Sequence, residues 1–80
     1  MDRVERKRQL SALLRNLQLT QMPCGRDYEA VLSELEIETN GDRDILKAAL
    51  VDNIYDCRRR GEDAAPYLHF LTWLGGYLPD

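Results

Sequence analysis

Side chains with reactive potential are few: one histidine, His69, and two cysteines, Cys24 and Cys57. A Cys57–His69 nucleophile pair is conceivable, because Arg58, Arg59 and Arg60 follow the thiol and nearby cations lower a thiol pKa. No glycine-rich loop and no third orienting group accompany the pair. His69 lies in Tyr67-Leu68-His69-Phe70-Leu71, the setting of an ordinary half-exposed helical histidine. Two cysteines and one histidine do not fill a closed zinc site, and their spacings match no zinc motif. Phosphate-loop and dinucleotide fingerprints are absent. The reading is therefore a protein without catalytic residues, cofactor or metal, and not an enzyme.

Charge is the next chemistry to weigh. The formal net charge is −3, unevenly placed. Residues 1–20 carry +3, residues 26–56 carry −6, the triplet Arg58-Arg59-Arg60 adds +3, and Glu62, Asp63 and Asp80 add −3. Alternating blocks of opposite sign suit self-association or docking to a like-patterned partner. The basic clusters Arg6-Lys7-Arg8 and Arg58-Arg59-Arg60 also admit a small helical DNA-binding or transcription-regulatory protein. The acidic residues of the middle segment, Asp52 and Asp56 among them, would repel phosphate, so nucleic acid is the lesser alternative. A plainer cause covers the arginine triplet: cations complement the carbonyl end of a helix, and Gly61 suits the left-handed position after it.

These residues need elements to position them, and the apolar spacing supplies four helices. The central one spans about Asp42 to Arg60, after a turn signal at Asn40-Gly41 and with Asp42 as expected N-cap. Ile45, Leu46, Ala49, Leu50, Asn53, Ile54 and Cys57 recur at three- and four-residue steps and form its buried stripe. A further helix starts near Asp63, with Pro66 in its first turn, and carries Tyr67, Leu68, Phe70, Leu71 and Leu74. Gly75-Gly76 ends it and leaves Tyr77, Leu78 and Pro79 as a packed tail. The first helix runs from Asp2, its cap, to Leu17 or Leu19, with Val4, Leu10, Leu13, Leu14 and Leu17 facing inward. Leu19 to Gly25, with Pro23, reads as a loop that disfavours helix at Met22. A second helix covers about Arg26 to Glu36, with Tyr28, Val31, Leu32 and Leu35 as its stripe and a frayed end through Thr39. Trp73 falls off the apolar line of its helix. It becomes an interface anchor if exposed, and is otherwise core edge with Tyr55, Tyr67, Phe70 and Tyr77.

The totals bound the rest. Eighty residues make one domain, residues 1–80, with 44% hydrophobic and 31% charged side chains. A chain of this size buries roughly 60–65% of its unfolded surface, so its stability is modest. No apolar run reaches membrane-spanning length, and Met-Asp-Arg-Val-Glu-Arg-Lys-Arg is followed by no signal-peptide core. The expectation is a cytoplasmic protein with reduced cysteines and no membrane contact.

From Leu10 onward the chain resembles the death-like superfamily of helical adaptors, most of all the bacterial effector-associated or bacterial death-like domains. The residues that carry the resemblance are Leu10, Leu13, Leu14 and Leu17, then Tyr28-Glu29-Ala30-Val31-Leu32, and above all Ala49 through Arg58-Arg59-Arg60-Gly61 with an apolar helix after it. The last passage is also similar to caspase-recruitment domains. The resemblance implies an antiparallel bundle of five or six helices, placed at the N-terminus of a larger effector and binding a like-folded domain. Four helices are visible in the sequence, so the expected architecture is an all-α antiparallel bundle of four to six helices.

The function expected is a non-enzymatic adaptor, a protein–protein interaction module working in bacterial effector or conflict signalling. Its mechanism would be docking of a basic surface (Arg58, Arg59, Arg60, Arg6, Arg8) on an acidic one (Asp42, Asp44, Asp52, Asp56, Glu62, Asp63) of a like domain or a second copy. An obligate dimer whose partner completes the core is a further, purely structural reading.

Overall fold

Helix α1 (Arg3–Asn16) opens on Asp2, whose Oδ1 accepts the Val4 backbone N–H at 3.1 Å. The computed structural model describes residues 2–16 and 28–78. Over them the chain forms α1, α2 (Tyr28–Glu34), α3 (Asn40–Arg60) and α4 (Ala65–Trp73), and no strand. The expectations for Leu17, the Leu19–Gly25 loop, the start of the second helix at Arg26, Cys24 and the last two residues lie outside the described residues.

One core gathers the apolar stripes: Leu10 and Leu14 from α1, Val31 and Leu32 from α2, Leu35 and Ile37 after it, Leu46, Ala49, Leu50, Ile54 and Cys57 from α3, and Tyr67, Phe70 and Leu71 from α4. The stripe read for α3 is the buried face, with Ile45 half-buried at its edge. On α1 the reading needs correction. Val4 and Leu13 are exposed, and Ser11 is buried beside Leu10 and Leu14. Ser11 and Leu13 flank the Leu10–Leu14 line on opposite sides of the helix, and the packing covers the Ser11 side.

Contacts between α1 and α3 climb both helices together. Val4 and Lys7 lie near Ile45 and Ala48, Lys7 pairs with Asp52 at 3.1 Å, and the buried Asn53 Nδ2 donates to the Ser11 carbonyl at 3.3 Å. Helices α1 and α3 therefore run in the same direction. Between α2 and α4, the Tyr28 and Phe70 rings stack with centroids 4.7 Å apart and planes 7° apart.

Three helices end in the same way, with a left-handed residue and two backbone bonds that close the last turn. At α3 the residue is Gly61 (φ 73°), with Gly61 N–H bonded to Arg58 O and Glu62 N–H to Cys57 O. At α4 it is Gly75 (φ 85°), bonded to Thr72 O, with Gly76 bonded to Leu71 O. At α2 it is Glu36 (φ 59°), and Ile37 N–H reaches Leu32 O at 2.9 Å. The frayed end expected there is thus a defined cap that seats Ile37 in the core.

Asn40-Gly41 does not stop a helix; it is the first turn of α3. Thr39, not Asp42, is the N-cap, its Oγ1 accepting the Asp42 N–H at 3.1 Å. Asp42 reaches back to accept the Glu38 N–H at 3.2 Å, a reciprocal arrangement that satisfies two orphan donors. Helix α4 begins two residues after Asp63, whose Oδ1 accepts the Ala65 N–H at 3.0 Å. Of the expected packed tail, Leu78 is half-buried against the core, but Tyr77 is 82% exposed.

Candidate functional site

Helix α3 has 21 residues, about 31 Å at 1.5 Å per residue, and its inner stripe is consumed by the core. The opposite face carries Asp44, Ala48, Val51, Tyr55 and Arg58, again at three- and four-residue steps. Asp44, Ala48 and Arg58 are exposed, Tyr55 is 39% exposed, and Val51 is half-buried. The helix thus shows an outer apolar row with a carboxylate near its start and a guanidinium near its end. Of that row Val51 packs partly against the core, and Ala48 lines a groove with Val4 and Lys7 of α1.

The remaining charges named from the sequence are distributed as follows. Arg6 is half-buried, and its Nη2 donates to the Leu35 carbonyl at 3.1 Å, clasping α1 to the end of α2. Asp42 works inside the α3 cap. The Glu38 N–H bond, opposed by burial and aided by the Thr39 bonds and the Arg6 charge, holds its carboxyl below the usual carboxylate range. Asp52 faces Lys7, while Asp56 takes Arg59 at 3.4 Å and Arg60 at 3.1 Å. Arg60 also meets Glu62 at 3.1 Å, and Asp63 accepts the Ala65 N–H just before α4. Acidic and basic residues of the end of α3 therefore share one cluster. Asp44 keeps one long contact, 3.8 Å to Lys47, and is 64% exposed in its side chain. Arg8 and Arg58 are exposed and make no ion pair among the described residues.

Cys57 is a free thiol in the core, whereas His69 is exposed on α4, so burial keeps the nucleophile of the conceivable pair from solvent. Among the described residues no group of His, Cys, Asp or Glu is placed to hold a metal ion, and no helix is long and apolar enough to cross a membrane.

Sequence reasoning left out Ala48 and Val51, and it took Tyr55, which is 39% exposed, for core or core edge. Their signal was a second apolar period on the acidic-to-basic helix, hidden beside the stronger inner one. Trp73 meets the condition set for an anchor: it is 45% exposed, with its ring tilted against Tyr28 at 5.3 Å and Phe70 at 6.2 Å. No family model, curated protein or solved structure matches the chain.

Proposed function

We propose that the chain is a non-enzymatic protein–protein interaction module with the death-like, antiparallel arrangement of helices that its sequence resembles. The observation that carries the reading is the outer face of α3, where Ala48, Val51 and Tyr55 lie between Asp44 and Arg58. An apolar strip bounded by opposite charges is the composition of a protein interface: desolvated side chains at the centre, charges setting register at the rim. Exposed ion pairs contribute only about 0–1 kcal/mol each, so the apolar strip supplies most of the affinity. Trp73, fixed on two other rings, offers a second anchor of the kind that dominates binding energy. A nucleic-acid reading gains nothing from the arginine triplet, since Asp56 and Glu62 stand within ion-pair distance of Arg59 and Arg60.

The test is capture from an extract of the source cell with the wild-type chain and with the Arg58→Glu/Arg59→Glu double variant as baits. The reading expects a protein retained by the wild type at low salt and lost with the variant. Identical retention by both baits would sink the charge-docking mechanism. Circular dichroism confirms that the variant bait is folded.

A further inference from the structure

The outer face of α3 is palindromic in its chemistry. Asp44 lies seven residues before Val51 and Arg58 seven residues after it, with Ala48 and Tyr55 between. A helix laid antiparallel on an identical helix, with a two-fold axis at Val51, brings each residue opposite the one equally far on the other side. Asp44 then meets the second copy's Arg58, and Arg58 meets the second copy's Asp44. Val51 meets Val51, and Ala48, three residues before the axis, lies beside the second copy's Tyr55, four residues after it, one residue out of register. From this we propose that the chain forms a two-fold dimer through antiparallel α3–α3 pairing, an inference that rests on the interaction-module reading and names its partner as a second copy.

The chemistry favours this register over its alternatives. A parallel pairing sets Asp44 against Asp44 and Arg58 against Arg58, two like-charge contacts at the ends of the strip. The antiparallel one converts both into attractive pairs, and closure by a two-fold axis limits assembly to two chains. Arg58 is available, having no ion pair among the described residues, and Asp44 gives up only its long contact to Lys47. The like charge nearest the axis is Asp52, and Lys7 of the same chain stands 3.1 Å from it. Tyr55 lies on the strip with its ring partly exposed, and neither its hydroxyl nor any partner of it enters the pairing. One helix pair is a small interface, at the low end of the range for specific contacts, so the dimer is reversible with Kd in about the micromolar range.

Analytical ultracentrifugation of the purified chain across concentration tests the proposal. The wild type should dimerise reversibly, and added salt should weaken the dimer. Asp44→Arg alone sets two guanidinium groups against each other at both ends of the strip, and Arg58→Asp alone sets two carboxylates together there. Each should weaken association by about tenfold or more. An equimolar mixture of the two variants should recover a dimer, because each end of the mixed pair sets a guanidinium of one variant against a carboxylate of the other. The Asp44→Arg/Arg58→Asp double variant should recover it as well, with both attractive contacts reversed in sense. Val51→Glu, which sets two carboxylates on the axis, should be monomeric with unchanged helical content by circular dichroism. A wild-type chain that stays monomeric throughout overturns the dimer and leaves the extract experiment to judge the interaction reading. A wild-type dimer that both single reversals leave intact, or that the double variant fails to recover after each single variant dissociates, overturns the α3 register while leaving self-association standing.

Discussion

Glu36 holds a left-handed conformation that costs an L-residue with a side chain roughly 1–2 kcal/mol and glycine much less. The other two helices that end in this geometry use Gly61 and Gly75 at the same position. Glu36 is exposed, so its side chain is not needed to fill space. Glu36→Gly should raise the unfolding free energy by about 0.5–1 kcal/mol, less than the full difference because glycine also frees the unfolded chain. Urea denaturation checks it, and a loss of stability would mean that the Glu36 side chain holds the cap. Three residues on, Thr39→Ala removes the oxygen that accepts the Asp42 N–H. That should lower stability by about 1 kcal/mol, and an unchanged urea midpoint would mean that Asp42 alone closes the turn. A third position is steric. A Cβ on Gly76 would lie 2.5 Å from Leu71 Cδ1, a buried side chain with little room to move. Gly76→Ala should therefore destabilise by about 1–3 kcal/mol, against a small gain if the C-terminal segment simply shifts outward.

The helices were legible because burial imposes a 3.6-residue period, and the inner stripe of α3 from Leu46 to Cys57 carries it cleanly. What escaped was set by contacts that periodicity does not encode. Ser11 is inside and Leu13 outside because α3 meets α1 along Leu10 and Leu14, where Asn53 needs the Ser11 carbonyl. Asn40-Gly41 reads as a breaker, yet Thr39 and Asp42 together satisfy the first N–H groups and carry the glycine within the turn. The charge blocks overlap for a simpler reason. Asp56 is three and four residues before Arg59 and Arg60, a helical pairing distance, so part of the supposed acidic surface is spent on the basic one. That spacing was visible in the sequence, and so was the outer row Ala48, Val51, Tyr55 that the candidate site rests on. The α1–α3 register has its own test in Asn53→Ala, which deletes the buried side-chain donor joining the two helices. A loss of about 1–3 kcal/mol by urea denaturation is expected, and an unchanged midpoint would mean that apolar packing alone fixes the register.

For the molecule as a whole, two titrations of opposite sense bound the pH range of full stability. The Asp42 carboxyl has its pKa lowered in the fold, first by the Glu38 N–H bond, so it favours the folded state wherever it is ionised in both states. That contribution is complete above the unfolded carboxylate pKa, about 3.9, and is lost as pH falls through the lower folded value. Tyr67 shifts the other way. Burial, then the neighbouring Cys57, raises its pKa above the ordinary 10, because the core accepts the neutral phenol and not the phenolate. The unfolded chain ionises first as pH rises past about 10, so this stability is present below that value and disappears as pH climbs through the folded one. Thermal melts from about pH 2 to about pH 11 should therefore show a plateau in the middle with a fall at each end. Asp42→Asn should flatten the acid limb relative to the wild type, since the amide oxygen still accepts the Glu38 N–H but carries no charge to lose. Tyr67→Phe should flatten the alkaline limb while keeping the ring in the core. Unchanged limbs in the two variants would move the pH response to other groups. A response in the acid limb alone would mean that the phenol reaches water when it ionises, placing Tyr67 at the edge of the core and not within it.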